Sequence, residues 1–190
     1  MFFCSGFGYV FKNQFIRGVM KIILIGYMGS GKSTIGKNVS KMLNFDFIDL
    51  DDYIQEREQL TIPQIFDRKG EIYFRKKEHV YLNEVLERNN VVVSLGGGTP
   101  CYGSNMAAVL SAKDALSVYL KSSIPNLVQR LLPERVGRPL IAHITTEEDL
   151  TEFIGKHLFE RSYYYRQSNK ILMTDGKSVS EITEEIVRLF

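Results

Sequence analysis

Short apolar runs alternate along this chain with longer segments of helical periodicity. The apolar runs predict five β-strands, near residues 21–25, 45–49, 91–95, 116–120 and 170–174. Between and after them, apolar residues recur at the three- and four-residue spacing of amphipathic helices. These segments predict helices over 32–43, 51–58, 61–88, 104–111, 125–132, 147–168 and 178–189. Such βα alternation predicts an α/β fold with a parallel sheet covered on both faces.

One segment interrupts the helical pattern. Between Pro133 and Ile144 the chain has two prolines and a glycine, and it carries Arg135 and Arg138. This composition indicates a loop between two helices, and we expect the loop to be mobile.

A glycine-rich turn directly follows the first predicted strand. Residues 26–34 read GYMGSGKST, a phosphate-binding P-loop in the strand–turn–helix context that it requires. The glycines let consecutive backbone N–H groups point at phosphate oxygens, and the helix that starts near Lys32 adds its positive dipole end. We expect Lys32 to reach the β- and γ-phosphates and Ser33 to ligate Mg²⁺. The predicted nucleotide-binding residues in this loop are Gly29, Ser30, Gly31, Lys32, Ser33 and Thr34.

Two carboxylates, Asp49 and Asp51, stand at the end of the second predicted strand. In an extended segment, residues two apart point to the same side, and the carboxyl ends of parallel strands border the ligand crevice. We therefore expect Asp49 to hold Mg²⁺ through water and Asp51 to accept a proton from an attacking hydroxyl. The alternative is that one of them caps the next helix.

Gly96–Gly98 follow the third predicted strand, which indicates either close approach of the backbone to a ligand or a plain tight turn. Arg75 lies three residues before Glu78 on a predicted helix. Glu78 can orient that guanidinium, or the two can form a solvated surface pair. The tyrosines at 163–165 are interpreted as helix packing rather than base stacking.

Length and composition narrow the class of protein. The 190 residues, 44% of them hydrophobic, can bury one substantial core, so we predict a single domain over residues 20–190. A net charge of +2 argues against a nucleic-acid binder with a basic face. Cys4 and Cys101 show no disulfide or metal-ligand spacing, which favours a cytoplasmic protein.

The first 19 residues resemble neither a signal peptide nor a membrane span. They lack a basic start, and Lys12 and Arg17 interrupt their apolar stretch. Because the first predicted strand begins immediately afterwards, we hypothesise that Met20 is the functional start and that residues 1–19 are an extension, possibly not native.

Taken together and in order, these segments resemble shikimate kinase from Lys21 to the C-terminus. The family pattern is carried by GYMGSGKST at 26–34, FIDLD at 47–51, IFDRKGEIYFRKKE at 65–78, SLGGGTP at 94–100, GRPL at 137–140 and RSYYYR at 161–166. The P-loop alone occurs in many NTPases, whereas the combination is specific. The resemblance favours the functional interpretation of Asp49, Asp51, Arg75 and Gly96–Gly98 over the alternatives.

The resemblance implies a fold and an activity. The fold is a three-layer P-loop NTPase with a five-stranded parallel sheet in the order 2-3-1-4-5, like the nucleoside monophosphate kinases. The activity is transfer of the γ-phosphoryl group of ATP to the 3-hydroxyl of shikimate, on the way to chorismate and the aromatic amino acids. ATP and Mg²⁺ are the implied cofactors. We expect a monomer with shikimate as its partner and neither nucleic acid nor membrane.

The resemblance also implies roles for individual residues. Lys32, Asp51 and Arg138 take part in catalysis, and Ser33 and Asp49 bind the metal. Arg138 belongs to a lid near 133–144 and meets the phosphates when the lid closes, while Arg130 lies against adenine. The implied shikimate-binding residues are Asp51, Arg75, Gly97, Gly98 and Arg166.

Three other functions are less consistent with the sequence. A gluconate-kinase-like enzyme shares the P-loop and the size, but the triple glycine with the FR and RPL segments favours shikimate. A GTPase switch requires Asn-Lys-x-Asp, whereas Asn169 and Lys170 are followed by Ile171 and Leu172. A non-catalytic nucleotide-binding module is expected to have lost Lys32 or the acidic pair.

Overall fold

A computed structural model describes residues 20–189 of the chain. The hypothesis about residues 1–19, and the interpretation of Cys4, lie outside the described residues. Within 20–189, no helix combines the length and the apolar character that crossing a bilayer requires.

Five parallel strands form one sheet in the order β2-β3-β1-β4-β5, which confirms the predicted topology. The strands are β1 (Lys21–Ile25), β2 (Asp46–Asp49), β3 (Val91–Ser94), β4 (Ala115–Lys121) and β5 (Lys170–Met173). The central strand β1 pairs with β3 on one side and β4 on the other, and all five of its residues are buried. A continuous apolar run is typical of a parallel strand that is covered on both faces.

Helices cover both faces of this sheet. They are α1 (Lys32–Leu43), α2 (Leu50–Glu58), α3 (Ile62–Leu86), α4 (Asn105–Ser111), α5 (Ile124–Glu134), α6 (Glu147–Tyr165) and α7 (Val179–Val187). Two hydrophobic clusters result, because successive residues of a strand point to opposite faces. Ile23 and Ile25 belong to the larger cluster, and Ile22 and Leu24 belong to the smaller one on the other face.

The structure differs from the sequence prediction at several places, and α6, for example, ends at Tyr165 rather than at residue 168. The continuous helix predicted over 61–88 is broken at Gly70, where φ is 80° and ψ is 168°. Helix α5 continues through Pro133 to Glu134 rather than ending at residue 132. Short 3-10 helices at Thr99–Cys101 and Arg135–Gly137 were not predicted, because a single turn has too few residues to show a period.

The segment predicted as a mobile loop is only partly exposed. Its first two residues complete α5, and Ile141 and Ile144 are buried in the core. Between the end of α5 and the buried Ile141 lies an exposed tip over residues 135–140, where Val136 is 82% exposed and Leu140 is 52% exposed. The lid remains a prediction. Only this exposed tip could move as a lid without taking buried residues out of the core.

Candidate active site

The P-loop connects β1 to α1 at the carboxyl end of the sheet. Gly29 and Gly31 have φ values of 76° and 92°, a left-handed conformation that favours glycine. Lys32 is buried, and its Nζ donates to the carbonyl oxygens of Gly26 at 2.8 Å and Tyr27 at 3.0 Å. Burial lowers the pKa of Lys32 to about 8. The lysine therefore braces the loop from inside, at a position where bound phosphates would favour its charged form.

The hydroxyl of Ser30 indicates what the loop binds. This Oγ is buried and has no hydrogen-bond partner among the residues that the structure describes. A Cβ on Gly26 would lie only 2.7 Å from it, so glycine is required there. An unpaired buried hydroxyl is costly, and a phosphate oxygen in the loop would supply the missing acceptor.

Asp49 ends β2 and caps α2. Its Oδ1 accepts a hydrogen bond from the backbone N–H of Asp51 at 3.2 Å, and its Oδ2 accepts one from Ser33 Oγ at 2.6 Å. The prediction that the chain stays extended through Asp51 is wrong, because α2 already begins at Leu50. Both carboxylates nevertheless border one cavity. The alternative that one of the two carboxylates caps the next helix is confirmed for Asp49. The same side chain also contacts Ser33.

Asp51 lies against the triple glycine. A Cβ on Gly96 would lie 2.6 Å from Asp51 Oδ1, so a side chain at residue 96 would collide with this carboxylate. Burial raises the pKa of Asp51 to about 6, with the charges of Asp49 and Glu78 acting in the same direction. A carboxylate with a pKa closer to neutrality is better suited to accept a proton from a hydroxyl.

Arg75 is held by a buried carboxylate. Its Nη1 donates to Glu78 Oε2 at 2.9 Å, and Glu78, which is 1% exposed, also accepts a hydrogen bond from Thr99 Oγ1 at 2.7 Å. The surface-pair alternative is therefore wrong. The guanidinium carbon lies 3.5 Å from the ring centroid of Tyr102, and a Cβ on Gly98 would lie 3.3 Å from Nη1. Arg75 thus faces the glycine turn in a fixed orientation.

The structure does not bring Arg166 to this site. Arg166 is the exposed C-cap of α6, whereas Arg161 Nη1 lies 3.7 Å from the position of a Cβ on Gly97. Arg161 shares a helix face with the buried Ile154 and Tyr165. That spacing was visible in the sequence and is the signal that could have identified Arg161.

One cavity of about 550 Å³ brings most of the predicted residues together. Arg130 Nη1 donates to the Gly29 carbonyl oxygen at 3.3 Å, and Arg138 Nη2 donates to Glu134 Oε2 at 2.6 Å. Lys177 and Val179, which the sequence left unassigned, also border the cavity. The predicted residues that line it are Gly29, Ser30, Gly31, Lys32, Ser33, Thr34, Asp49, Asp51, Gly97, Arg130 and Arg138.

The oxygen atoms of Ser33 and Asp49 are suitable ligands for a hard cation. Residues 20–189 contain no group of three or more His, Cys, Asp or Glu side chains placed to hold a metal. Mg²⁺ keeps several waters and takes phosphate oxygens as ligands, so it needs few protein ligands. A hydroxyl and a carboxylate beside the P-loop therefore fit a magnesium ion that arrives with a nucleotide.

Comparison with known proteins identifies the family. The family model described as shikimate kinase matches residues 28–190. A shikimate kinase from Flavobacterium johnsoniae is 47% identical over 168 residues, which cover 88% of this chain and 96% of that protein. The crystal structure of shikimate kinase from Bacteroides thetaiotaomicron gives a TM-score of 0.82 at 35% identity, covering 90% of this chain and 97% of that one.

Two further structures, a shikimate kinase and a gluconokinase, differ in how similar they are to this chain. Shikimate kinase from Acinetobacter baumannii in complex with shikimate gives a TM-score of 0.80 at 29% identity, covering 90% of this chain and 92% of that one. A gluconokinase from Sinorhizobium meliloti gives a TM-score of 0.56 at 17% identity, covering 89% and 90%. The second likeness shows a shared fold alone. The chain belongs to the shikimate kinase family of ATP-dependent kinases.

Proposed function

We propose that this protein transfers the γ-phosphoryl group of ATP to the 3-hydroxyl of shikimate in the biosynthesis of aromatic amino acids. The observation that carries the proposal is the convergence of Lys32, Asp51 and Arg161 around Gly96 and Gly97. A phosphate-binding loop, a proton acceptor and a cation for an anionic acceptor then meet in one place.

The phosphate side of the site is built mainly from backbone. The N–H groups of residues 29–34 and the Lys32 ammonium bind the triphosphate, and the buried Ser30 hydroxyl donates to one of its oxygens. Arg130 and Lys177 border the same cavity, which supports a role for both in binding the nucleotide. The loop is already braced by Lys32, so little ordering is needed when ATP binds.

We also propose that Mg²⁺ is held by Ser33 directly and by Asp49 through water. When bound, the ion would neutralise charge on the phosphates. Ser33 Oγ now donates to Asp49 Oδ2, so the ligand pair is aligned in advance. The cytoplasm and a monomeric state remain predictions for this protein.

The acceptor side orients shikimate for attack. Arg75 and Arg161 bind its carboxylate, and the backbone of Gly97 and Gly98 lies against its ring. The 3-hydroxyl oxygen forms a bond to the γ-phosphorus as the bond from that phosphorus to the ADP oxygen breaks. Asp51 takes the hydroxyl proton. Arg161 replaces Arg166 in this assignment because it is the arginine of the RSYYYR segment that faces the glycine turn.

The exposed tip over 135–140 acts as the lid. In the present conformation Arg138 pairs with Glu134, both of them partly exposed, and such pairs contribute little stability. Arg138 can therefore exchange this partner for a phosphate oxygen when the tip closes, which excludes water from the reaction. Hydrogen exchange over 135–140 should slow when ADP and shikimate are added together, and equal protection with and without ligands contradicts a lid.

A coupled assay of ADP release tests the function. Purified protein with ATP and Mg²⁺ is supplied with shikimate, with gluconate or with no acceptor. We expect ADP release that depends on shikimate and stops when EDTA removes the metal. Faster release with gluconate than with shikimate would show that the proposed acceptor is wrong. Release that is independent of any acceptor would indicate an ATPase.

A further inference from the structure

Four side chains form a stripe along one face of α6. Phe153, His157, Arg161 and Tyr165 follow one another at intervals of four residues, and we call them the α6 stripe. Residues at this spacing lie on the same side of a helix. Arg161 lies close to Gly97, and the Tyr165 hydroxyl donates to the Gly97 carbonyl oxygen. His157, one turn before Arg161, has no role in the function proposed above.

His157 is bonded to the P-loop. Its Nδ1 lies 3.0 Å from the hydroxyl oxygen of Tyr27, a residue that is 2% exposed. Burial raises the pKa of Tyr27 to about 12, and burial together with the charge of Arg161 lowers the pKa of His157. At neutral pH the phenol is therefore protonated and the imidazole neutral, and the two groups share one hydrogen bond. This bond connects the helix that carries Arg161 to the loop that carries Lys32.

Arg161 and Arg75 are positioned by different means. Arg75 is ion-paired with Glu78 and with Glu71. Over residues 20–189, Arg161 forms no ion pair with a carboxylate. Its guanidinium carbon instead lies 5.7 Å from the centroid of the Tyr27 ring, within the range of a cation–π contact. The Tyr27 ring is therefore one of the groups that hold this guanidinium in place, together with the Tyr165 hydroxyl.

We propose that His157 is a positioning residue for acceptor binding, fixing the ring of Tyr27 and through it the guanidinium of Arg161. The inference rests on the proposed function, in which Arg161 binds the shikimate carboxylate. Without the hydrogen bond between the hydroxyl and the imidazole, the Tyr27 ring has more conformational freedom. The Arg161 guanidinium, which contacts this ring, then has more freedom as well. The carboxylate is then bound less tightly, while the phosphate contacts of the P-loop backbone are retained.

The sharpest variant is Tyr27→Phe, which removes the hydroxyl and keeps the ring. A typical hydrogen bond of this kind implies that KM for shikimate rises about three- to tenfold. KM for ATP and kcat should change by less than about twofold, because the backbone is unaltered. The matched control is Tyr163→Phe, since Tyr163 is 71% exposed and lies off the stripe. It should behave as the wild-type protein does.

Four further variants distinguish positioning from general destabilisation. His157→Leu should reproduce the effect of Tyr27→Phe, and His157→Asn, whose amide can occupy the place of Nδ1, should recover part of the lost affinity. The double variant Tyr27→Phe/His157→Leu should be no worse than either single change. In an Arg161→Ala background, Tyr27→Phe should raise KM for shikimate no further.

Several results would overturn the inference. They are an unchanged KM for shikimate in Tyr27→Phe, an equal rise in the KM values of both substrates, and an additional loss in the Arg161→Ala background. Thermal unfolding of each variant shows whether it has folded, and Tyr27→Phe is conservative enough to carry the test alone. If the wild-type protein neither binds nor phosphorylates shikimate, the proposed function fails and this inference fails with it. If the wild-type protein is active and the variants match it, only the inference fails.

Discussion

The phosphate half and the acceptor half of this site are built in different ways. The phosphate half comes from one continuous segment, residues 26–34, and its main groups are backbone N–H groups and one lysine. The acceptor half takes Arg75 from α3, the glycine turn from the end of β3 and Arg161 from α6. A site made from backbone is fixed by local conformation, whereas a site made from distant side chains depends on what holds each of them in place.

Asp51 stands between the two halves, and its replacement should have the largest effect. Asp51→Asn removes the proton acceptor but no phosphate ligand, so kcat should fall by roughly 10² to 10⁴ while KM for ATP changes little. Steady-state kinetics with each substrate varied gives the result. Asp52→Asn, a neighbouring exposed carboxylate, is the control. Normal turnover in Asp51→Asn would remove Asp51 from the mechanism.

Arg75→Ala should damage the acceptor half alone. Truncating one member of a buried charge pair costs about 2 to 5 kcal/mol, so shikimate affinity should fall about 30-fold or more. Calorimetric titration with shikimate and with ATP separately measures the two halves. Arg68→Ala, an exposed arginine of α3 on the other side of the break at Gly70, controls for loss of charge. Equal weakening of both ligands would show that Arg75 is structural.

Arg161→Ala and Arg166→Ala distinguish the two arginines of one segment. Charge-assisted hydrogen bonds imply that Arg161→Ala weakens shikimate binding about tenfold or more. Arg166→Ala should leave it within about twofold, because that side chain is exposed at the end of α6. The same calorimetric titration applies to both variants. A larger loss in Arg166→Ala would restore the assignment made from the sequence.

Gly36→Ala tests how the phosphate half is supported. A Cβ there would lie 2.5 Å from the Phe47 ring, because α1 packs closely on β2. Overpacking of this kind should lower the free energy of unfolding by about 1 to 3 kcal/mol. Gly155→Ala is the matched helix control, since among residues 20–189 its Cβ would meet only Ile124 Cδ1, at 3.9 Å. Chemical denaturation should show a loss in the first variant and none in the second.

The raised pKa of Asp51 predicts a smaller effect that needs no substrate. Since folding raises this pKa from 3.8 to about 6, the ionised carboxylate destabilises the folded state, and the cost grows as pH rises through this range. Asp51→Asn lacks that cost. The free energy of unfolding of Asp51→Asn relative to wild type should therefore increase by about 1 kcal/mol between pH 5 and pH 7. A difference independent of pH would mean that Asp51 has an ordinary pKa.

The same contrast explains what the sequence could predict. The P-loop and most element boundaries depend on local patterns and were predicted correctly, whereas the strand order was implied by the family resemblance and is confirmed. The exchange of Arg166 for Arg161 shows the limit. Both arginines belong to the RSYYYR motif, so the motif alone does not say which of them faces the site. The orientation of α6 against the sheet decides that it is Arg161. The break at Gly70 was missed for a related reason, since a glycine allows such a conformation without requiring it.

Asp49 has a consequence for anyone who redesigns this protein. One of its oxygens meets Ser33 and the other starts the helix that carries Asp51. Mutational libraries that vary residue 49 to alter metal preference will therefore also shift the proton acceptor, and their phenotypes will mix two causes. Asn retains the helix cap while removing the charge. Asp49→Asn therefore keeps the start of α2 in place, but its phenotype combines the loss of a metal ligand with the loss of a charge that raises the pKa of Asp51.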